Sequence, residues 1–114
     1  MAKLTFVGQG NAEALAQELN ERFPKSGISC EWVDEARNTA GDTILLVFEK
    51  YFMRVKNRVS VSILIYPFND GIKVDVIGSG GGQGAFLSFD WGSEDSIVQS
   101  AGNILLDLGF HEVS

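Results

Sequence analysis

A single cysteine, a single histidine and two prolines are all that this 114-residue chain has of those residue types, and bases are short too, at 9 against 15 acids. With only Cys30 there is no internal disulfide framework and no cysteine-based zinc cage, so a reducing compartment is the simplest setting. With only His111, a histidine-rich metal site cannot form within one chain, and a histidine-activated nucleophile would have to be built near the C-terminus. The longest unbroken apolar run, Ile44 to Phe48, is five residues, far short of the ~20 that a membrane-spanning helix needs. The first residues, Met1-Ala2-Lys3-Leu4, lead into a strand pattern without the apolar core of a secretion signal. These absences point to a cytoplasmic protein without membrane association, metal site or cofactor.

What is present describes one folded domain over residues 1–114. The chain is 45% hydrophobic and 21% charged, with a net charge of −6. A chain of this size buries roughly 65% of the surface its unfolded form exposes, enough for one core. Leu4 to Val7 reads as a short strand, followed by a turn and Asn11 as a helix N-cap. Ala12, Leu15, Ala16, Leu19 and Phe23 then recur at helical spacing, and Pro24 ends the run. A second helix is marked by Ile97, Val98, Ala101, Ile104, Leu105 and Leu108, with Ser93 as its expected N-cap and Gly109 as its left-handed close, from which Phe110 folds back.

Between the helices the period changes to two. Ile28 to Val33, Thr43 to Val55, Val59 to Phe68 and Ile72 to Ile77 read as strands, with Asp34 to Asp42 as a polar connection. Val59, Val61, Ile63 and Ile65 alternate with polar residues, as do Ile72, Val74 and Val76, so a two-residue hairpin around Asp70-Gly71 is expected. The expected core comprises Leu15, Leu19, Phe23, Val61, Ile63, Ile65, Val74, Val76, Val98, Ala101, Ile104, Leu105 and Leu108.

The order β-α-β4-α gives the expected fold class: α+β, a five-stranded antiparallel sheet with two helices packed on one face. In its order of elements it is similar to the TATA-box-binding-protein-like folds, a group that also holds helix-grip ligand carriers. The stretch from Glu49-Lys50-Tyr51 through Asn57-Arg58-Val59-Ser60 to Gly78 resembles a family of short uncharacterised bacterial proteins. That resemblance implies no activity and brings no catalytic residues.

Glycines crowd the segment Gly78-Ser79-Gly80-Gly81-Gly82-Gln83-Gly84. Their spacing overlaps a dinucleotide fingerprint, but the strand-turn-helix setting that gives that motif its pyrophosphate site is missing. A flexible loop through Gly78, Gly80, Gly81, Gly82 and Gly84 is the reading adopted, with an anion cradle as the alternative.

Charge is uneven. Residues 50 to 58 hold Lys50, Arg54, Lys56 and Arg58 with no acid, although the chain is acidic on both sides. A three-residue turn at Lys56-Asn57-Arg58 would put Glu49, Tyr51 and Val55 on the core side. Lys50, Phe52, Arg54 and Lys56 would then join Leu64, Tyr66, Phe68 and Lys73 on the other face. Basic and aromatic side chains on an open sheet are what single-stranded nucleic-acid readers use, but the net charge of −6 opposes a polyanion and disfavours that reading. The same face is more apolar than a monomer leaves uncovered, which favours a homodimer. The alternative partner is a small molecule in a pocket of Glu49, Tyr51, Trp32 and Ile63 between sheet and helices. No catalytic constellation is visible, so the expectation is a non-enzymatic interaction or assembly module.

Overall fold

The computed structural model describes residues 2–26, 30–52, 57–80 and 87–113, with side chains at 52, 57 and 87–95 outside the description. The elements are β1 (Ala2–Gly8), α1 (Ala12–Arg22), β2 (Glu31–Arg37), β3 (Ile44–Phe52), β4 (Asn57–Phe68), β5 (Gly71–Gly80), α2 (Leu87–Asp107) and β6 (His111–Val113). All strand pairs are antiparallel and form one sheet in the order β2-β3-β4-β5-β1-β6. The sheet thus has six strands, not the expected five. The sixth is the three-residue C-terminal strand, too short to show an alternation of its own.

Both helices cover one face. Phe6, Ile44, Leu46, Phe48, the odd residues Val59 to Ile65 and the even residues Ile72 to Val76 meet Leu15, Leu19, Phe23, Ile97, Val98, Ala101 and Leu105 in a single buried cluster. Phe23 of the α1 C-cap meets Phe48 edge-on, ring centroids 4.9 Å apart, a geometry that adds about 1 kcal/mol beyond area burial. Asn11 caps α1 by accepting from the Ala14 backbone N–H at 2.9 Å. At the other end of the chain, Gly109 adopts φ +94 and the Phe110 N–H closes onto the Leu105 carbonyl oxygen at 3.0 Å. Each expected core residue is buried except Leu108, which packs partly buried against the cluster.

Several boundaries differ from the sequence expectation. Helix α2 begins at Leu87, so Ser93 lies inside it and is not its cap. Gly92 costs that helix only about 1 kcal/mol relative to alanine, which is not enough to stop it. Asp34 to Arg37 belong to β2, not to a polar connection. Their polar character reflects the strand's position at the sheet edge, where charged side chains discourage pairing with another chain. The β4–β5 hairpin has a two-residue loop, but Phe68 pairs with Gly71, so the loop residues are Asn69 and Asp70. Asn69 carries the positive φ of +54. Gly71 has a different role: a β-carbon there would overlap the Gly8 carbonyl oxygen.

The largest correction is the register of β3. Phe52 pairs with Asn57 and Glu49 with Ser60, so four residues, 53–56, connect the strands instead of three. Changing the loop length by one inverts the faces. Ile44, Leu46 and Phe48 are fully buried, whereas Glu49 and Tyr51, expected on the core side, lie on the opposite face. Among the described residues, no helix is long and apolar enough to cross a membrane.

The register is testable on adjacent leucines. Leu46→Ala removes a fully buried side chain and should cost about 3 kcal/mol. Leu45→Ala, 37% exposed on the opposite face, should cost less than about 1 kcal/mol. Urea denaturation midpoints of the two variants provide the check, and a reversed order would require the other register.

Candidate functional site

The face of the sheet that turns away from the helices carries no described element over it. Its side chains form rows across the strands, fixed by the pairing. One row runs Asp34, Val47, Ser62, Ile77, Lys3, and the next runs Ala36, Leu45, Leu64, Asp75, Thr5, Val113. A third runs Tyr66, Lys73, Val7, His111. Val7, Val47, Leu64, Tyr66 and Ile77 are half-buried by their neighbours alone, while Leu45, Tyr51 and Phe68 are exposed.

Most polar groups on this face are paired within the chain. Thr5 donates to Asp75 Oδ1 and Tyr66 to Asp75 Oδ2, each at 2.9 Å, so both carboxylate oxygens are engaged. Desolvation and the donated hydrogen bond to Asp75 both push the Tyr66 phenol above its ordinary pKa. Ser60 and Ser79 hydroxyls lie 3.0 Å apart. Arg58 donates to Glu49 at 2.6 Å, and its guanidinium lies 5.6 Å from the Tyr51 ring centroid. Charges of both signs share the face: Lys3, Arg58 and Lys73 against Glu31, Asp34, Glu49 and Asp75.

The proposed ligand pocket is not assembled. Ile63 lies fully buried on the helix-facing side of β4, Glu49 and Tyr51 are on the other side of the sheet, and Trp32 is half-exposed at the β2 edge. The basic strip is not assembled either. Lys50 pairs with Val59 in the helix-facing register, half-buried, whereas Arg58 and Lys73 are on the open face. Leu64, Tyr66, Phe68 and Lys73 are on the open face as expected. Arg54 and Lys56 lie outside the described residues, as does the Phe52 side chain. Of the glycine segment, Gly78 and Gly80 are paired strand residues of β5, not loop. A β-carbon at Gly80 would press on the Arg58 carbonyl oxygen, so close strand packing accounts for that glycine. Gly81, Gly82 and Gly84 lie outside the described residues. Among the described residues, no three His, Cys, Asp or Glu side chains are grouped as metal ligands.

A polar clamp that the sequence did not suggest fastens β2 to α1. Glu35 accepts from Asn20 and from the Trp32 indole, both at 3.0 Å, and pairs with Arg37 at 2.8 Å, while Arg37 also bridges to Glu13 of α1. A bulge between Trp32 and Asp34 brings Trp32, Glu35 and Arg37 to the helix side. Spacing that skips one residue hides such a set from a period-two reading. Partial burial pushes the Glu35 carboxyl up, but hydrogen bonds from Arg37, Asn20 and Trp32 outweigh it and hold the pKa below 4.5.

Cys30 is buried at the start of β2, and burial pushes its thiol up to about 11. A raised folded-state value means that the neutral thiol stabilises the fold below about 9, and that this contribution is lost as the pH rises towards 11. Cys30 should therefore resist iodoacetamide at pH 8 in the native protein and react readily in urea, which a mass-shift assay reads directly.

Glu35 has the opposite sign. Its lowered value gives stability that is present above pH 4.5 and is lost as the pH falls through the folded-state value. The Trp32 indole N–H resonance should shift on acidification with a midpoint below 4.5, and Glu35→Gln should remove that transition.

The chain belongs to a family of unknown function (DUF6054), whose family model matches residues 1–108. No curated protein and no solved structure matches it.

Proposed function

We propose that this chain is a non-enzymatic interaction module whose open sheet face pairs with the same face of a second copy. The observation that carries the reading is the apolar band Leu45, Val47, Leu64, Ile77 and Val7 across four strands, with no described element over it. A monomer rarely leaves such a band in water. Six strands ~4.8 Å apart and about seven residues long present roughly 550 Å² in projection, comparable to the ~800 Å² of accessible surface that each partner gives to an average stable interface.

Charge supports a second copy over an unlike partner. The molecule carries −6, so two copies repel wherever their acidic surfaces meet. On the open face the signs nearly balance, and a two-fold axis can set Lys3 and Arg58 of one copy against acids of the other. The Asp75 carboxylate already accepts two hydrogen bonds from its own chain, which lowers the cost of covering it. The β-α-β4-α order also supports grouping the fold with the TATA-box-binding-protein-like folds, β6 being an addition at the sheet edge.

Sedimentation equilibrium should show a concentration-dependent dimer. Leu64→Asp places an unpaired charge at the centre of the face and should weaken the dimer by at least about tenfold, with an unchanged circular dichroism spectrum. A wild-type chain that remains monomeric at high micromolar concentration overturns the reading.

A further inference from the structure

On the open face most polar side chains find partners within the chain, but at one end of the sheet a group of them does not. There the β1–α1 connection, the β4–β5 turn and the α2–β6 turn meet around an open cavity of about 510 Å³. Two glycines permit the approach. Gly71 lies against the Gly8 carbonyl, and a β-carbon at Gly8 would overlap the Phe110 ring. Three turns, each fixed by the end of a paired strand, therefore form the walls, and Ile72 and Leu108 supply apolar lining.

The chemistry at the walls is specific. Gln9, Asn69, Asp70 and His111 line the cavity, and none of these four side chains forms a hydrogen bond or ion pair with a described residue. The Phe68 ring, 41% exposed, forms another wall. Lys73 Nζ lies 4.8 Å from the centroid of that ring, with no carboxylate of a described residue in ion-pair range. Asp70 thus lines the cavity, and Lys73 lies outside the lining but beside two of its residues, Val7 and Phe68, with no ion pair between the two charges.

We propose that this cavity binds a zwitterionic small molecule of amino-acid size. Asp70 receives the ligand's ammonium group, and Lys73 with the imidazole N–H of His111 receives its carboxylate. The Gln9 and Asn69 amides each offer a donor and an acceptor, and Phe68 packs against the ligand's apolar part. A ligand with one charge meets repulsion from whichever protein charge it matches in sign. A ligand with both meets attraction at each end, and this distinguishes the site from the diffuse attraction of cations to an acidic protein. The cavity belongs to one chain, so the proposal does not rest on pairing between two copies.

The test is an amide-resolved NMR titration of the full chain with a panel of free L-amino acids at millimolar concentration. At least one should give saturable shifts at Asn69, Asp70, Gly71, Gly109 and His111. Its N-acetyl derivative, lacking the cation, and its amide, lacking the anion, should each bind at least about tenfold more weakly. Asp70→Asn and Lys73→Gln should weaken binding by a similar factor, while Glu21→Gln, an exposed acid on α1, should leave it unchanged. The same spectra show whether each variant is folded. No saturable shift from any member of the panel overturns the proposal, and so does equal binding of a singly charged derivative.

Discussion

The structure depends on the parity of β4. Val59, Val61, Ile63 and Ile65 are all fully buried against the helices, and because side chains alternate strictly along a strand, Ser60, Ser62, Leu64 and Tyr66 must face the other way. Each neighbouring strand must then present its own apolar set in step. Strand β5 does so through Ile72, Val74 and Val76, β3 through Ile44, Leu46 and Phe48, and β1 through Phe6. One helix-facing core and one open face are two consequences of that single condition.

How readily each strand could be placed from sequence follows from its pattern. Strands β4 and β5 alternate cleanly, so their buried faces were legible even though the hairpin loop lies one residue earlier than the Asp70-Gly71 signal suggests. Strand β3 contains five consecutive apolar residues, Ile44 to Phe48, and has no phase of its own. Its face had to be inferred from a loop length, and a three-residue loop in place of the observed four-residue connection put Glu49 and Tyr51 on the wrong side. Helix α1 was legible to its cap, because Asn11 and Phe23 bracket an unbroken helical stripe. The start of α2 was not, since Ser93 satisfies a local capping preference that the continuing helix overrides.

The candidate sites divide along the same line. Leu64, Tyr66, Phe68 and Lys73 share the open face because they lie in strands whose phase the sequence declares. The pocket of Glu49, Tyr51, Trp32 and Ile63 required β3 in the opposite register and so never forms. Contacts between strands remote in sequence were beyond reach. Thr5 donates to Asp75 only because β1 inserts between β5 and β6, and alternation within one strand carries no information about which neighbour it will take. The clamp at Glu35 was hidden by a bulge, which shifts the phase in mid-strand.

Hydrogen-bond satisfaction divides the molecule's polar surface into two kinds. On the sheet, Asp75, Tyr66, Thr5, Ser60, Ser79, Glu49 and Arg58 are committed to one another. Such groups resist removal from water less than free ones do, because their partners accompany them. A surface built this way can be covered by another apolar surface. At the turn end of the same sheet, Gln9, Asn69, Asp70 and His111 remain uncommitted around a concavity, and covering them with an apolar partner would cost the desolvation of each. These groups need a ligand that carries its own donors, acceptors and charges. The flat middle of the sheet and its concave end are therefore suited to different occupants, and the difference arises from which side chains the strand pairing has already satisfied.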